Sequence, residues 1–168
     1  ALAAALPKAK GLEELDLARN LLSCDGASFL AQALGARACR LRSLRLGGNT
    51  LGAAGAAALA SALAGNNKLT ELDLAGNPLG REALAPLAQA LGSNTVLTTL
   101  RLGNTGLLQN SRFGLHDLLM QARSLTDLSV DGNKLGWAGA AKVAGAVNRE
   151  GCRLIALDLA GNAIGDGG

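Results

Sequence analysis

One pattern of eleven residues recurs six times along this chain, and it constrains the fold more than any other feature. From Leu69 to Leu79, apolar residues fall at positions one, four, six and eleven, and Asn77 stands at position nine. The position-nine residues of the six copies are Asn20, Asn49, Asn77, Thr105, Asn133 and Asn162. Their separations are therefore 29, 28, 28, 28 and 29 residues. A fixed period of this length indicates stacked structural repeats.

Each copy predicts one short strand followed by a helix. Apolar and polar residues alternate for only a few positions at the middle of the pattern, so we expect very short strands. Their predicted centres are Leu15, Leu44, Leu72, Leu100, Leu128 and Leu157. The Ala-rich stretches between copies, such as residues 52–63, predict a helix after each of the first five strands. Stacking such units buries the apolar sides that one unit leaves exposed.

This frame resembles the leucine-rich repeat, and the resemblance covers all 168 residues. The length is similar to that of the ribonuclease-inhibitor type, found also in NOD-like receptors and in cytoskeletal and ciliary scaffold proteins. The resemblance implies an α/β solenoid, or horseshoe, with a parallel inner sheet, outer helices and 28/29-residue repeats. We expect residues 1–168 to form a single solenoid segment with six strand frames, truncated mid-repeat at both ends. Leu2 and Leu6 match Leu59 and Leu63 of a helix, and residues 165–168 stand where another helix would begin.

Two features of the repeat predict buried structural side chains. The position-nine amide can pair with backbone groups of its own turn and of the adjacent repeat. The residues expected to form this structural ladder are Asn20, Asn49, Asn77, Asn133 and Asn162. Thr105 interrupts the ladder once. Cys39 and Cys152 stand two places before the first Leu in the two longer connectors. Ribonuclease-inhibitor-type repeats often carry Cys-x-Leu there, which implies a small packing residue.

Positions three and five of each frame are expected to point into the concave side of the solenoid. The charged residues there are Glu14, Asp16, Arg45, Glu71, Asp73, Arg101, Asp127 and Asp158. Adjacent strands lie about 4.8 Å apart, so each position-five Arg should lie between two carboxylates. This strip is a candidate partner-binding surface, or a ladder of ion pairs that only stabilises the inner face. Trp137, at the start of a helix on the convex side, is a candidate anchor for a partner or a packing residue.

No group of residues in the sequence predicts catalysis. His116 precedes Asp117, but adjacent helical residues do not share a face, so we expect an exposed helical histidine. Cys24, Cys39 and Cys152 lack metal-ligand spacing. No Gly-Lys-Ser/Thr follows the recurrent glycines, which excludes the usual phosphate-binding loop. We therefore expect a non-enzymatic protein with no catalytic residue, no metal and no cofactor.

Composition narrows the partners and the location. The net charge is +3 and the basic residues are scattered along the sequence, so no nucleic acid is expected. Three cysteines do not suggest a secreted disulfide framework. No apolar run approaches about 18 residues, so no membrane contact is expected. We expect a cytoplasmic location, with a cytoskeletal or axonemal one included.

These observations predict a protein–protein interaction scaffold, part of a larger cytoskeletal or ciliary assembly. Its partners would be other proteins, with further repeats or a partner covering both open ends. One alternative is the ligand-sensing repeat region of a NOD-like receptor. Another is a GTPase-activating protein of the nuclear-transport type, a family that uses the same repeat. The fourth repeat departs most, with Leu108 in place of Gly and the segment 112–117, which is either a specific contact or a drifted repeat.

Overall fold

The computed structural model of the chain describes residues 2–107 and 112–167, and the side chains of residues 112 and 113 are outside that description. The expectations for Leu108 and for the side chains of Arg112 and Phe113 lie outside the described residues.

Six three-residue strands form one sheet. They are β1 Glu14–Asp16, β2 Ser43–Arg45, β3 Glu71–Asp73, β4 Thr99–Arg101, β5 Asp127–Ser129 and β6 Ala156–Asp158. All neighbours are parallel and follow chain order. The central leucines pair directly, as Leu44 does with Leu72. The predicted strand centres and the parallel α/β solenoid are therefore confirmed.

The helices pack against one face of this sheet, the face opposite the concave one. They are α1 Leu2–Ala5, α2 Cys24–Gly35, α3 Gly52–Gly65, α4 Leu84–Ser93, α5 Arg112–Gln121 and α6 Gly136–Val147. Short 3-10 turns cover Leu6–Lys8 and Arg81–Ala83. A helix follows each of the first five strands, as predicted. None of the helices in the described ranges is long and apolar enough to cross a membrane.

The core is one continuous layer of leucine and alanine between the sheet and the helices. Leu72 and Leu74 from the β3 repeat are fully buried, and so are Leu59 and Leu63 on α3. Burial of one such leucine contributes about 1.5–3 kcal/mol. Because the strand and the helix of a repeat pack across this thin layer, the small alanines fill the space that a globular core would give to aromatic rings.

Position nine ends the strand segment with a buried polar side chain that joins two repeats. Nδ2 of Asn77 donates to the Leu46 carbonyl oxygen at 2.9 Å and to the Leu74 carbonyl oxygen at 3.0 Å. Its Oδ1 accepts the Leu51 N–H at 3.2 Å. The preceding residue, Gly76, has φ 66°, a left-handed conformation that glycine adopts easily.

The other position-nine residues differ in whether their side chains form hydrogen bonds to the preceding repeat. Asn49, Asn133 and Asn162 are buried and bond to their own turn and to the preceding repeat. Asn20 is exposed and donates only within its own turn. Thr105 is buried, but its hydroxyl donates to its own repeat, to the Leu102 carbonyl oxygen at 2.7 Å. No described side-chain bond therefore links Thr105 to the repeat before it.

A second polar ladder lies at the opposite edge of the solenoid, where helices end and strands begin. Asn66, which follows α3, accepts the Leu69 N–H at 2.8 Å and donates to the Leu34 carbonyl oxygen at 2.9 Å. Asn94 after α4 repeats this arrangement and donates to the Leu63 carbonyl oxygen at 2.8 Å. These bonds satisfy carbonyls at helix C-termini. They fix the connectors and hence the edge that the connectors form.

Candidate partner-binding surfaces

The parallel register places the charged concave residues in two rows. The position-three row is Glu14, Ser43, Glu71, Thr99, Asp127 and Ala156, and the position-five row is Asp16, Arg45, Asp73, Arg101, Ser129 and Asp158. Glu14, Asp16 and Asp158 are exposed, whereas the charged residues of β2 to β5 are half-buried. The register brings all eight charged candidates onto one surface.

The ion pairs on this surface run between the rows and not along the position-five row. Arg45 Nη1 lies 3.9 Å from Glu14 Oε2, and Arg45 Nη2 lies 3.5 Å from Glu71 Oε2. Arg101 Nη2 lies 3.7 Å from the other oxygen of Glu71. The pKa of Arg45 is raised above its ordinary value, first by Coulombic attraction to Glu71 and then by a hydrogen bond to it, with smaller contributions from Glu14 and Asp16. Glu71 therefore forms an ion pair with both arginines.

The position-five aspartates have a different partner, so the expectation that they pair with the arginines beside them is wrong. Asp16 Oδ1 accepts the backbone N–H two residues later, that of Ala18, at 2.8 Å. Asp73 and Asp158 make the same bond, at 2.8 and 2.9 Å. Each aspartate ends its strand where the chain turns, so the local N–H is within reach without ordering a long side chain. These carboxylates are thereby held in fixed positions.

Neutralisation of the concave face is uneven. Arg45 and Arg101 both pair with Glu71, on the side of the face formed by β2 to β4. No described cation lies within ion-pair distance of Asp127 or Asp158. Asp131 lies beside them and is held by the Ser129 hydroxyl and the Asn104 amide, at 2.6 and 2.9 Å. The end of the face that includes β5 and β6 is therefore acidic.

Trp137, His116 and the three cysteines all lie outside the strands of the sheet. Trp137 is the second residue of α6 and is 64% exposed, so most of its ring is open to contact. His116 is half-buried and not exposed as expected, and its Nδ1 lies 3.3 Å from the Lys142 carbonyl oxygen on α6. Cys39 is buried, Cys152 is half-buried and Cys24 is exposed, all as free thiols.

Both end faces expose apolar side chains. At the first end, Leu2, Leu21 and Phe29 line a groove of about 800 Å³. Leu21 is 94% exposed there, although nothing in the repeat pattern identified it. Leu6, in the 3-10 turn after α1, is buried. At the other end Ile155 is 87% exposed. Leu154, Leu157 and Leu159 there are half-buried.

Comparison with known proteins agrees with this geometry. A family model described as Leucine Rich repeat matches residues 39–60, 65–88 and 152–168. Among solved structures, leiomodin-1 actin-binding site 2 has a TM-score of 0.75 at 18% identity, over 88% of this chain and 86% of that one. The tropomodulin C-terminal domain of Caenorhabditis elegans has a TM-score of 0.70 at 15% identity, over 88% and 89%. No curated protein sequence matches. Three segments of the chain therefore match the leucine-rich repeat, and the two solved structures share the fold of the chain.

Proposed function

We propose that this chain is a non-enzymatic interaction module whose concave face binds a basic segment of a partner protein. The observation that carries the proposal is the uneven neutralisation of that face. Arg45 and Arg101 both pair with Glu71, whereas Asp127 and Asp158 have no cation partner among the described residues. If the charges on this face only neutralised one another, the cations would be spread evenly among the carboxylates along the sheet.

The geometry suits a segment that crosses the strands. Six parallel strands at about 4.8 Å give a row roughly 24 Å long. An extended segment of about seven residues covers that distance. Hydrogen bonds to the turn already fix Asp73 and Asp158, so little side-chain freedom would be lost on binding. Basic side chains of the partner would therefore meet pre-positioned carboxylates.

The setting we propose is cytoplasmic and cytoskeletal. It is supported by the fold shared with leiomodin-1 actin-binding site 2 and by the 28/29-residue repeat, which resembles the ribonuclease-inhibitor type of scaffold proteins. We also propose that further repeats or a partner cover the end faces, because Leu21 and Ile155 are almost fully exposed. Co-sedimentation of the purified chain with filamentous actin tests the cytoskeletal setting directly. Absence of the chain from the actin pellet would contradict actin as the partner.

The concave site is tested with a paired set of charge variants. The double variant Asp127→Asn/Asp158→Asn removes two concave charges, and Asn at 158 still offers Oδ1 to the turn. The control Asp25→Asn/Asp117→Asn removes the same charge from exposed helix positions. Binding of a fluorescent Lys/Arg-rich peptide is measured by anisotropy. We expect the concave variant to weaken binding roughly fivefold, from two exposed ion pairs at about 0.2–1 kcal/mol each, and the control less than about twofold. Equal weakening by both variants would refute the concave site.

A further inference from the structure

Basic residues gather at the connector edge, the edge where each helix ends and the next strand begins. The cations in these connectors are Lys8, Lys10, Arg37, Arg40, Arg42, Lys68, Arg123, Arg149 and Arg153. Against them stand two carboxylates, Glu13 and Glu150. One ion pair forms here among the described residues, between Arg42 Nε and Glu13 Oε2 at 3.2 Å. Cations that are scattered in sequence thus lie along one edge of the solenoid.

The arginine depression is a concavity of about 470 Å³ in this edge, lined by Arg123, Arg149, Arg153, Glu150 and Thr95 among others. None of its three arginines has a carboxylate within ion-pair distance among the described residues. Three cations and one carboxylate therefore share one concave site that is open to solvent. Such a site favours an anionic ligand, because three like charges close together add their fields inside one cleft.

Arg149 is held in place at this site. Its Nη2 donates to the Leu119 and Ala122 carbonyl oxygens, at 3.1 and 3.3 Å, at the end of α5. Its Nε is buried and has no hydrogen-bond partner among the described residues. The guanidinium therefore keeps its charge at the depression with one donor unsatisfied, which is costly for a charged group. A nearby anion would offset part of that cost.

Arg123 and Arg153 have no such structural bond. Cations near helix C-termini often complement the helix dipole, and Arg149 does so through its bonds to α5. Both other arginines are exposed, and no described carbonyl or carboxylate accepts from them. Their side chains are free to turn toward a ligand.

We propose that the connector edge, centred on the arginine depression, binds an acidic segment of a partner protein. Arg guanidinium groups bind carboxylates in a two-bond fork. No aromatic residue lies in the described connectors to stack a nucleic-acid base, so a protein segment is favoured over a nucleic acid. This surface is separate from the concave face and has the opposite charge. A negative result at one of the two sites therefore does not contradict the proposal for the other.

The test uses a fluorescent 12-residue peptide of alternating Glu and Ser, with binding measured by anisotropy at low salt. The variant Arg123→Gln/Arg153→Gln removes two charges at the depression, while Arg149 is kept because it bonds to the end of α5. The control Arg81→Gln/Lys134→Gln removes equal charge at exposed positions on the opposite edge. We expect roughly fivefold weaker binding for the first variant and less than about twofold for the control.

Four results would overturn the proposal. The unaltered protein could fail to bind the peptide, or both variant pairs could weaken binding equally. A single-stranded oligonucleotide of equal charge is the third arm, and tighter binding of it than of the peptide, lost in the Arg123→Gln/Arg153→Gln variant, would assign the edge to nucleic acid. The Asp127→Asn/Asp158→Asn variant should bind the acidic peptide undiminished. A loss of binding in that variant is the fourth such result, because the acidic peptide would then bind at the concave face and not at the connector edge.

Discussion

Replacing Asn77 by alanine tests the position-nine ladder next to its one interruption, Thr105, where the following repeat does not supply a substitute side-chain bond. Asn77 is fully buried and makes four polar contacts, three through Nδ2 and one through Oδ1. Two of the four partner groups keep another bond after the substitution. The Leu46 carbonyl still accepts from Asn49 at 2.8 Å, and the Ala75 carbonyl still accepts the Gly48 N–H at 2.8 Å.

The other two groups lose their side-chain partner. The Leu51 N–H has no acceptor among the described bonds except Asn77 Oδ1. The Leu74 carbonyl has no side-chain donor except Asn77, because Thr105 in the following repeat does not reach back to it. Leaving a buried group unpaired costs about 1–3 kcal/mol, so two groups give roughly 2–6 kcal/mol. We expect a loss of about 2–4 kcal/mol, in the lower part of that range, because the bond from Leu51 is long at 3.2 Å.

Two matched substitutions calibrate this value. Asn49→Ala leaves the partly buried Leu22 N–H without its acceptor, whereas the Leu46 carbonyl keeps Asn77, so about 1 kcal/mol is expected. Asn20→Ala acts at an exposed side chain and should cost less than about 0.5 kcal/mol. Urea unfolding followed by circular dichroism measures all three. Equal losses at the three positions would refute the argument from unpaired groups.

The double variant Asn77→Ala/Thr105→Asn separates this explanation from simple loss of packing. An asparagine at 105 can donate to the Leu74 carbonyl, as its equivalents do in the other repeats. The cost of Asn77→Ala should then fall by roughly 1 kcal/mol in the Thr105→Asn background. Thr105→Asn alone should be close to neutral, because the threonine hydroxyl already bonds to Leu102. Absence of coupling between 77 and 105 would contradict the proposed role of Leu74.

Two further pairs of substitutions test the turns that follow the concave strands. Gly103→Ala should cost about 1–3 kcal/mol in urea unfolding, because the new Cβ would overlap the Asp131 carboxylate. Gly47→Ala is its control and should cost less, since the nearest atoms to the new Cβ there are the Ala75 carbonyl oxygen at 3.3 Å and the Asp73 carboxylate at 3.4 Å. Asp73→Asn should leave stability nearly unchanged because it keeps the acceptor for the Ala75 N–H, whereas Asp73→Ala should lose about 1 kcal/mol. If the Asn and Ala variants lose equal stability, the charge of the carboxylate matters and its hydrogen bond does not.

The sequence predicted the fold well because the period carries most of the information. The spacing of Leu69, Leu72 and Leu74 relative to Asn77 fits only one arrangement of strand, turn and neighbouring repeat. Once six copies share that spacing, the register of the sheet follows, and each central leucine meets the next. Nothing about side-chain rotamers is needed for this step.

The concave contacts were harder to predict because they depend on competition between partners. Asp73 stands between Arg45 and Arg101 in the row, so a lateral ion pair was the simple expectation. A bond to a backbone N–H two residues away orders fewer rotatable bonds than a long Arg side chain does. A signal was present in the sequence, because each position-five Asp is followed two residues later by Ala and each position-five Arg by Gly. The frames with Asp and Ala have this side-chain bond to the turn, and those with Arg and Gly do not.

The repeat pattern did not predict the second polar ladder, formed by Asn66 and Asn94 at the connectors, although the sequence carried a signal for it. Asn66 and Asn94 each stand three residues before the first Leu of their frame. Only two of the repeats have this Asn, and Ser124 and Arg149 fill comparable roles with different chemistry. A pattern search that requires identical residues does not detect a position whose function is shared by Asn, Ser and Arg.

The charge distribution shows why a net value misleads for a repeat protein. A net charge of +3 spread over a sphere would give a weak field everywhere. In a solenoid, residues separated by one period lie on the same edge or face, so a bias at one repeat position adds up along the structure. Carboxylates recur at positions three and five, and cations recur in the connectors. The same chain therefore presents an acidic face and a basic edge, and a partner that has one charge sign should bind to only one of them.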